Sequence, residues 1–295
     1  MREDIINTYG EAPVLDRREF LVTSIFAAGA YASAVMPIAA QTRVVTDDKG
    51  LVTGEVQIPV AGGMMPAYRA MPEKGKDLPV VIVVHEIFGV HEWIQDVCRR
   101  FAKLGYMAVA PALYAREGDV KDLKDARELN RQIFSKIPDS QSMADLDATL
   151  AWAAKNRGSS KRTSITGFCW GGRIVWLYAA HNPKIKAGAA WYGRVVPTPN
   201  SPVNEAQPTT PIDYAAKLSV PVIGFYGGQD RGIPVDGVQR MQDELKKGRS
   251  GSEIVIYPNA DHGFHADYRP SYNKEASDDA WAKLLAWFKK HGAAK

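Results

Sequence analysis

The chain has 295 residues, 45% of them hydrophobic and 24% charged. That balance excludes collagen-like, disordered and coiled-coil classes and allows one large domain or two modest ones. Two cysteines exclude a disulfide scaffold and a cysteine-rich zinc module, and a net charge of +4 without a Lys/Arg-rich run argues against nucleic acid as a partner.

The first forty residues read as an address rather than as fold. Arg17-Arg18 precede Phe20, and from Leu21 to Thr42 no residue is charged. The run is rich in Ala, Gly and Ser and is interrupted by Pro37, so it is less apolar than a stable membrane span. An arginine pair ahead of a weakly apolar stretch looks like a twin-arginine export signal, with Ile38-Ala39-Ala40 offering a cleavage site and a start near Gln41. Residues 1–40 hold three basic and five acidic side chains, so their removal would leave 255 residues at +6. The expectation is passage through the twin-arginine machinery to the periplasm; an uncleaved membrane anchor or an N-terminal helix is the alternative. A small anionic substrate suits the sign of the remaining charge.

Residues 51–71 suggest an opening antiparallel hairpin, and the β-branched run Val80–His85 suggests a strand buried on both faces. A helix follows at 92–104, ended by Gly105, then a strand at 106–110 stopped by Pro111. Helical patterns cover 123–135 and 143–156, and further strands fall at 163–167, 188–192, 220–226 and 253–257. Helices at 172–180 and 235–246 separate them, residues 196–211 read as a Pro-rich surface loop, and a helix closes the chain at 274–291. This alternation predicts a single α/β domain over 41–295, with a mostly parallel sheet and helices on both faces.

Gly167-Phe168-Cys169-Trp170-Gly171-Gly172 lies between a strand and a helix. This is the nucleophile-elbow pattern with Cys in place of Ser. A sharp strand-to-helix turn strains the nucleophile's backbone, so the residues two away must lack side chains. The helix N-terminus also favours a thiolate and supplies N–H groups for an oxyanion. In such folds an acid and then a histidine follow the nucleophile. Asp230 ends the strand 220–226 region, with Asp236 as the alternative acid; His262 follows the last strand, with His265 as the alternative base. The tract Asp261-His262-Gly263-Phe264-His265 lacks a third nearby ligand for a metal site, and no cofactor motif occurs. Cys98 reads as a packing residue; a Cys98–Cys169 disulfide would silence the nucleophile.

Taken with His85-Glu86-Ile87-Phe88-Gly89-Val90, Leu113-Tyr114-Ala115-Arg116, Trp191-Tyr192-Gly193 and Gly227-Gly228-Gln229-Asp230, the elbow and the Asp261–Phe264 tract resemble the dienelactone hydrolase family of the α/β-hydrolase fold, from about residue 51 onward. The resemblance implies a triad of Cys169, Asp230 and His262. It also implies that Glu86 pairs with the thiol and swings away when substrate binds. Ile87 and Trp170 would supply the oxyanion-hole N–H groups. It implies substrate binding by Arg127, with Tyr192 nearby. A second family arginine would fall four residues after the histidine, where this chain has Ala266; Arg269 or Arg194 stands close enough to compensate. The expected activity is hydrolysis of small lactones or carboxylic esters through an acyl-enzyme, without a cofactor. A thioesterase or acyltransferase on the same triad, or a non-catalytic small-molecule binder, are the rival readings.

Overall fold

The computed structural model describes residues 44–117, 133–198 and 202–294. The expected export signal, most of the helix expected at 123–135, and Arg127 lie outside the described residues. The hairpin forms as β1 (Leu51–Val60) and β2 (Gly63–Pro72). Next come β3 (Leu78–Val84), α1 (Glu92–Lys103), β4 (Met107–Pro111), α2 (Asp139–Lys155), β5 (Gly158–Phe168) and α3 (Trp170–His181). The chain ends on β6 (Ala187–Trp191), a 3₁₀ helix (Pro211–Lys217), β7 (Val222–Gly227), α4 (Val235–Lys246), β8 (Glu253–Tyr257) and α5 (Lys274–Lys290).

These strands make one eight-stranded sheet in the order β1-β2-β4-β3-β5-β6-β7-β8. β1 pairs with β2, and β2 with β4, antiparallel; every other pairing is parallel. All seven residues of β3 are buried, as its unbroken apolar run requires of a central parallel strand. Successive side chains of β6 show the two faces of the sheet. Gly188 turns towards Val175 of α3, whereas Trp191 stacks on His265, which stacks in turn on Trp281 of α5. α1 joins α5 on that second face through the Phe101–Trp281 contact. Helices therefore cover both faces, as the alternating pattern predicts.

Three local expectations change. β5 begins at Gly158, not at 163, because Gly158 already pairs with Leu78 of β3 before the register shifts. α3 begins at Trp170, directly after Cys169, which serves as its N-cap. The Pro-rich segment is not wholly a surface loop: Gln207 is buried and its amide donates to the carbonyls of Phe134 and Ile137 at 2.6 and 3.3 Å.

Candidate active site

Cys169, Tyr192, Asp230 and His262 follow the carboxyl ends of β5, β6, β7 and β8, the end at which open α/β sheets bind ligands. They border one cavity of about 390 Å³, together with Ile87 and Trp170.

Cys169 takes the strained elbow conformation, with φ 55° and ψ −116°. Its neighbours explain why the turn closes only with glycines. A Cβ on Gly167 would lie 2.4 Å from the Gly171 carbonyl oxygen, and one on Gly171 would lie 2.4 Å from that of Val84. Elbow and central strand thus touch backbone to backbone, and the half-buried cysteine is held out at the start of α3. Cys98 is buried within α1 and both cysteines are free thiols. Burial pushes the Cys98 thiol far up, so it stays protonated.

Asp230 serves two functions with its two oxygens. Oδ1 accepts from the N–H groups of Gly232 and Ile233 at 2.8 and 3.0 Å, which fixes the turn after β7. Oδ2 accepts from His262 Nδ1 at 2.7 Å. Cys169 borders the same cavity, and its sulfur acts electrostatically on the imidazole. Burial alone would lower the His262 pKa; the Cys169 sulfur and the Asp230 carboxylate outweigh it and raise it to about 10. The Tyr192 ring meets His262 edge-on, with centroids 5.1 Å apart, and Tyr192 itself has φ 38°. The two alternatives from sequence fall elsewhere. His265 is buried among Trp191, Phe168 and Trp281 with Nδ1 on Ser277 Oγ at 2.7 Å, and Asp236 is an exposed residue of the first turn of α4.

Glu86 is fully buried, and its carboxylate faces a different set of partners from the one the resemblance implies. Oε1 accepts from Arg269 Nη2 at 2.8 Å, Oε2 accepts from the Tyr268 hydroxyl, and His91 Nε2 lies 3.8 Å from Oε2. Burial opposes the charged form, but Arg269, His91 and Tyr268 together hold the carboxyl down at about 2. Its partner is thus the guanidinium rather than the Cys169 thiol. Arg269 pairs with Glu86 and is not among the residues that border the cavity. Ala266 is fully buried, while Arg194 does border the cavity.

Sequence reasoning passed over several residues that hold the site. His85 is buried, and burial pushes it down to about 4, so its ring is neutral. Leu113 N–H donates to Nε2 at 3.2 Å, which leaves Nδ1 to donate to the Glu86 carbonyl at 2.6 Å. Its ring also stacks on Trp170 at 5.6 Å, so one histidine ties the 86–89 turn to the elbow. Tyr268 and Arg173 were equally silent in sequence, since their partners are remote along the chain. Among the described residues no group of three His, Cys, Asp or Glu side chains could hold a metal ion, and no helix is long and apolar enough to cross a membrane.

Comparison with known proteins agrees with this architecture. The family model described as the dienelactone hydrolase family matches residues 65–292. A Methylorubrum extorquens protein, provisionally named a carboxymethylenebutenolidase, is 52% identical over 281 residues, covering 95% of this chain and 94% of its own. An Escherichia coli K12 protein with the same provisional name is 50% identical over 266 residues, covering 90% and 96%. The crystal structure of a Klebsiella pneumoniae protein, provisionally named a dienelactone hydrolase, superposes with a TM-score of 0.78 at 50% identity, covering 81% of this chain and 99% of its own. The chain has the α/β-hydrolase fold and is a hydrolase belonging to the dienelactone hydrolase family.

Proposed function

We propose that the protein hydrolyses small lactones or carboxylic esters with Cys169 as nucleophile. The observation that carries this reading is the Asp230–His262 hydrogen bond beside the Cys169 elbow, with all three residues at the wall of a cavity of small-molecule size. The thiolate adds to the carbonyl carbon. The resulting oxyanion is received by the backbone N–H groups of Ile87 and Trp170, which border the cavity beside the sulfur. His262, kept as imidazolium by Asp230, gives its proton to the departing alkoxide or enolate, and the thioester forms. In a lactone that leaving oxygen remains tethered to the acyl-enzyme. Water, deprotonated by the now neutral imidazole, then attacks the thioester and regenerates the thiolate and imidazolium. No cofactor takes part.

The test is hydrolysis of a panel of lactones, oxygen esters and thioesters by wild type and Cys169→Ala. Loss of at least a thousandfold in kcat/KM is expected, with the serine variant also far below wild type. Full activity in Cys169→Ala overturns the reading. A preference for thioesters would favour a thioesterase instead. Residues 1–40 are proposed to direct export by the twin-arginine route; replacing Arg17-Arg18 with Lys-Lys should retain the protein in the cytoplasmic fraction.

A further inference from the structure

The proposed oxyanion hole depends on the direction of one peptide unit. The bond between Glu86 and Ile87 is trans, as every described peptide is. A trans peptide is planar, so the Glu86 carbonyl and the Ile87 N–H point in opposite directions from one rigid plate. Whatever holds the carbonyl therefore aims the N–H. The carbonyl accepts from Gly89 N–H at 3.2 Å, across the turn, and from His85 Nδ1 at 2.6 Å, so the ring is the closer of these two donors. The Ile87 N–H makes no backbone hydrogen bond among the described residues, and Ile87 borders the cavity.

The tautomer of His85 is fixed from its other side. Leu113 N–H, just beyond β4, donates to Nε2 at 3.2 Å, so the ring proton resides on Nδ1. Burial keeps the ring neutral, with its pKa pushed down to about 4, so this arrangement persists through neutral pH. The same ring is stacked on Trp170, which carries the second proposed donor, at 5.6 Å and 19° between planes. Trp170 Nε1 is buried with no hydrogen-bond partner among the described residues, so packing rather than bonding sets that indole. One buried histidine thus contacts both sides of the proposed hole, by a hydrogen bond on the Ile87 side and by stacking on the Trp170 side. A hydrogen bond accepted by a peptide carbonyl also polarises the peptide and strengthens its N–H as a donor.

We propose that His85 is a positioning residue for the reaction: it holds the Glu86–Ile87 peptide so that the Ile87 N–H meets the oxyanion formed when Cys169 attacks a carbonyl. This role rests on the hydrolase reading above but is tested separately from it.

The kinetic arm compares His85→Leu with His85→Asn. Asn places its amide nitrogen as many bonds from the backbone as the ring Nδ1 and so retains a donor for the Glu86 carbonyl; Leu retains none. With a p-nitrophenyl ester, His85→Leu should lower kcat by at least about tenfold with little change in KM, and His85→Asn should recover most of that loss. A merely structural role would make activity follow thermal stability instead, where a buried amide has no advantage over Leu. The chemical arm needs no turnover and uses trifluoroacetone. The Cys169 thiolate adds to its carbonyl carbon, the π pair moves onto oxygen and no group leaves, so the adduct is a hemithioketal whose oxyanion resembles the tetrahedral intermediate. Cys98 is buried, so labelling by iodoacetamide reports Cys169. Alkylation displaces iodide from a saturated carbon and forms no oxyanion. The bare labelling rate of His85→Leu should therefore stay within about twofold of wild type, while protection by the ketone weakens by at least about tenfold and returns in His85→Asn. Equal ketone protection in wild type and His85→Leu, no protection in wild type, a labelling rate that falls as far as kcat, or an Asn variant no better than Leu overturns the proposal. Absence of ester turnover in wild type would count against the hydrolase reading and leave the ketone result to decide the role of His85.

Discussion

Arg269 Nη2 lies 2.8 Å from Glu86 Oε1, an ion pair between residues 183 positions apart. Glu86 has no exposure at all, so its charge must be compensated inside the protein. A thiol offers a weak hydrogen bond; a guanidinium offers a full charge, and Tyr268 adds a hydroxyl donor. This pairing engages both carboxylate oxygens of Glu86.

Arg269→Met should therefore strand a buried carboxylate. A loss of about 3–5 kcal/mol is expected, read from urea unfolding, and adding Glu86→Gln should recover most of it. The pH dependence has a definite sign. The Glu86 carboxyl falls from an ordinary 4.5 to about 2, so its contribution is complete above pH 4.5 and disappears as the pH drops towards 2. The stability gap between wild type and Arg269→Met should close over that same window. A gap that is constant from pH 7 to pH 3 would show that Glu86 is not the group being stabilised.

His262 gives the opposite limb. Its pKa rises from 6.5 to about 10, so the imidazolium persists through neutral pH and is lost as the pH passes 10. In the proposed reaction this proton goes to the leaving group, so kcat/KM should fall on an alkaline limb near pH 10. Asp230→Asn removes one of the two groups that support the cation. The limb should move down by about one unit or more, with activity reduced as well. A limb that stays in place would separate Asp230 from the histidine's charge.

The elbow makes a prediction about stability rather than rate. A Cβ on Gly171 would stand 2.4 Å from the Val84 carbonyl oxygen and 2.6 Å from that of His85. Both are backbone atoms at the buried end of β3, so nothing can rotate away. Gly188 is a milder case, with its Cβ 3.0 Å from Val175 Cγ1 and 3.1 Å from Val222 Cγ2, both side-chain atoms. Gly171→Ala should cost about 3 kcal/mol or more and Gly188→Ala distinctly less, compared by thermal unfolding. Equal costs would mean that the backbone contact at the elbow is soft.

These cases show which parts of the site a reader of the sequence could find. The elbow is a local pattern: strand, cysteine between glycines, helix. Its acid and histidine follow in a fixed order at the ends of later strands, so Cys169, Asp230 and His262 could be named before their geometry was known. Arg269 was legible only as a charge near the histidine, and was expected to face substrate. Its direction is set by Glu86, 183 positions away, which no spacing rule connects to it. The Arg173–Asp139 pair is hidden for the same reason, across 34 positions. The sheet shows a related limit: the strand expected from 163 already starts at Gly158, where Leu78 of the neighbouring β3 pairs with it.

Asp267 links the first described residues to this network. Its Oδ2 accepts from Val44 N–H at 3.0 Å and from Arg100 Nη2 at 2.8 Å. Arg100 Nε continues to Asp96 Oδ2 at 2.6 Å, Asp96 Oδ1 accepts from Thr46 N–H at 2.6 Å, and Arg99 Nε donates to the Thr46 carbonyl at 2.8 Å. Residues 44–46 are thus strapped across α1 to the residue that precedes Tyr268 and Arg269. Asp267 is only 1% exposed, and burial raises its pKa although Arg100 and the Val44 amide pull it down. Asp267→Ala removes the shared acceptor. It should destabilise the fold by about 2–3 kcal/mol and speed amide exchange at Val44. Because Thr46 keeps Asp96 and Arg99, exchange there should change much less. Equal acceleration at both amides would mean that the strap opens as one unit and that Asp267 is its only anchor.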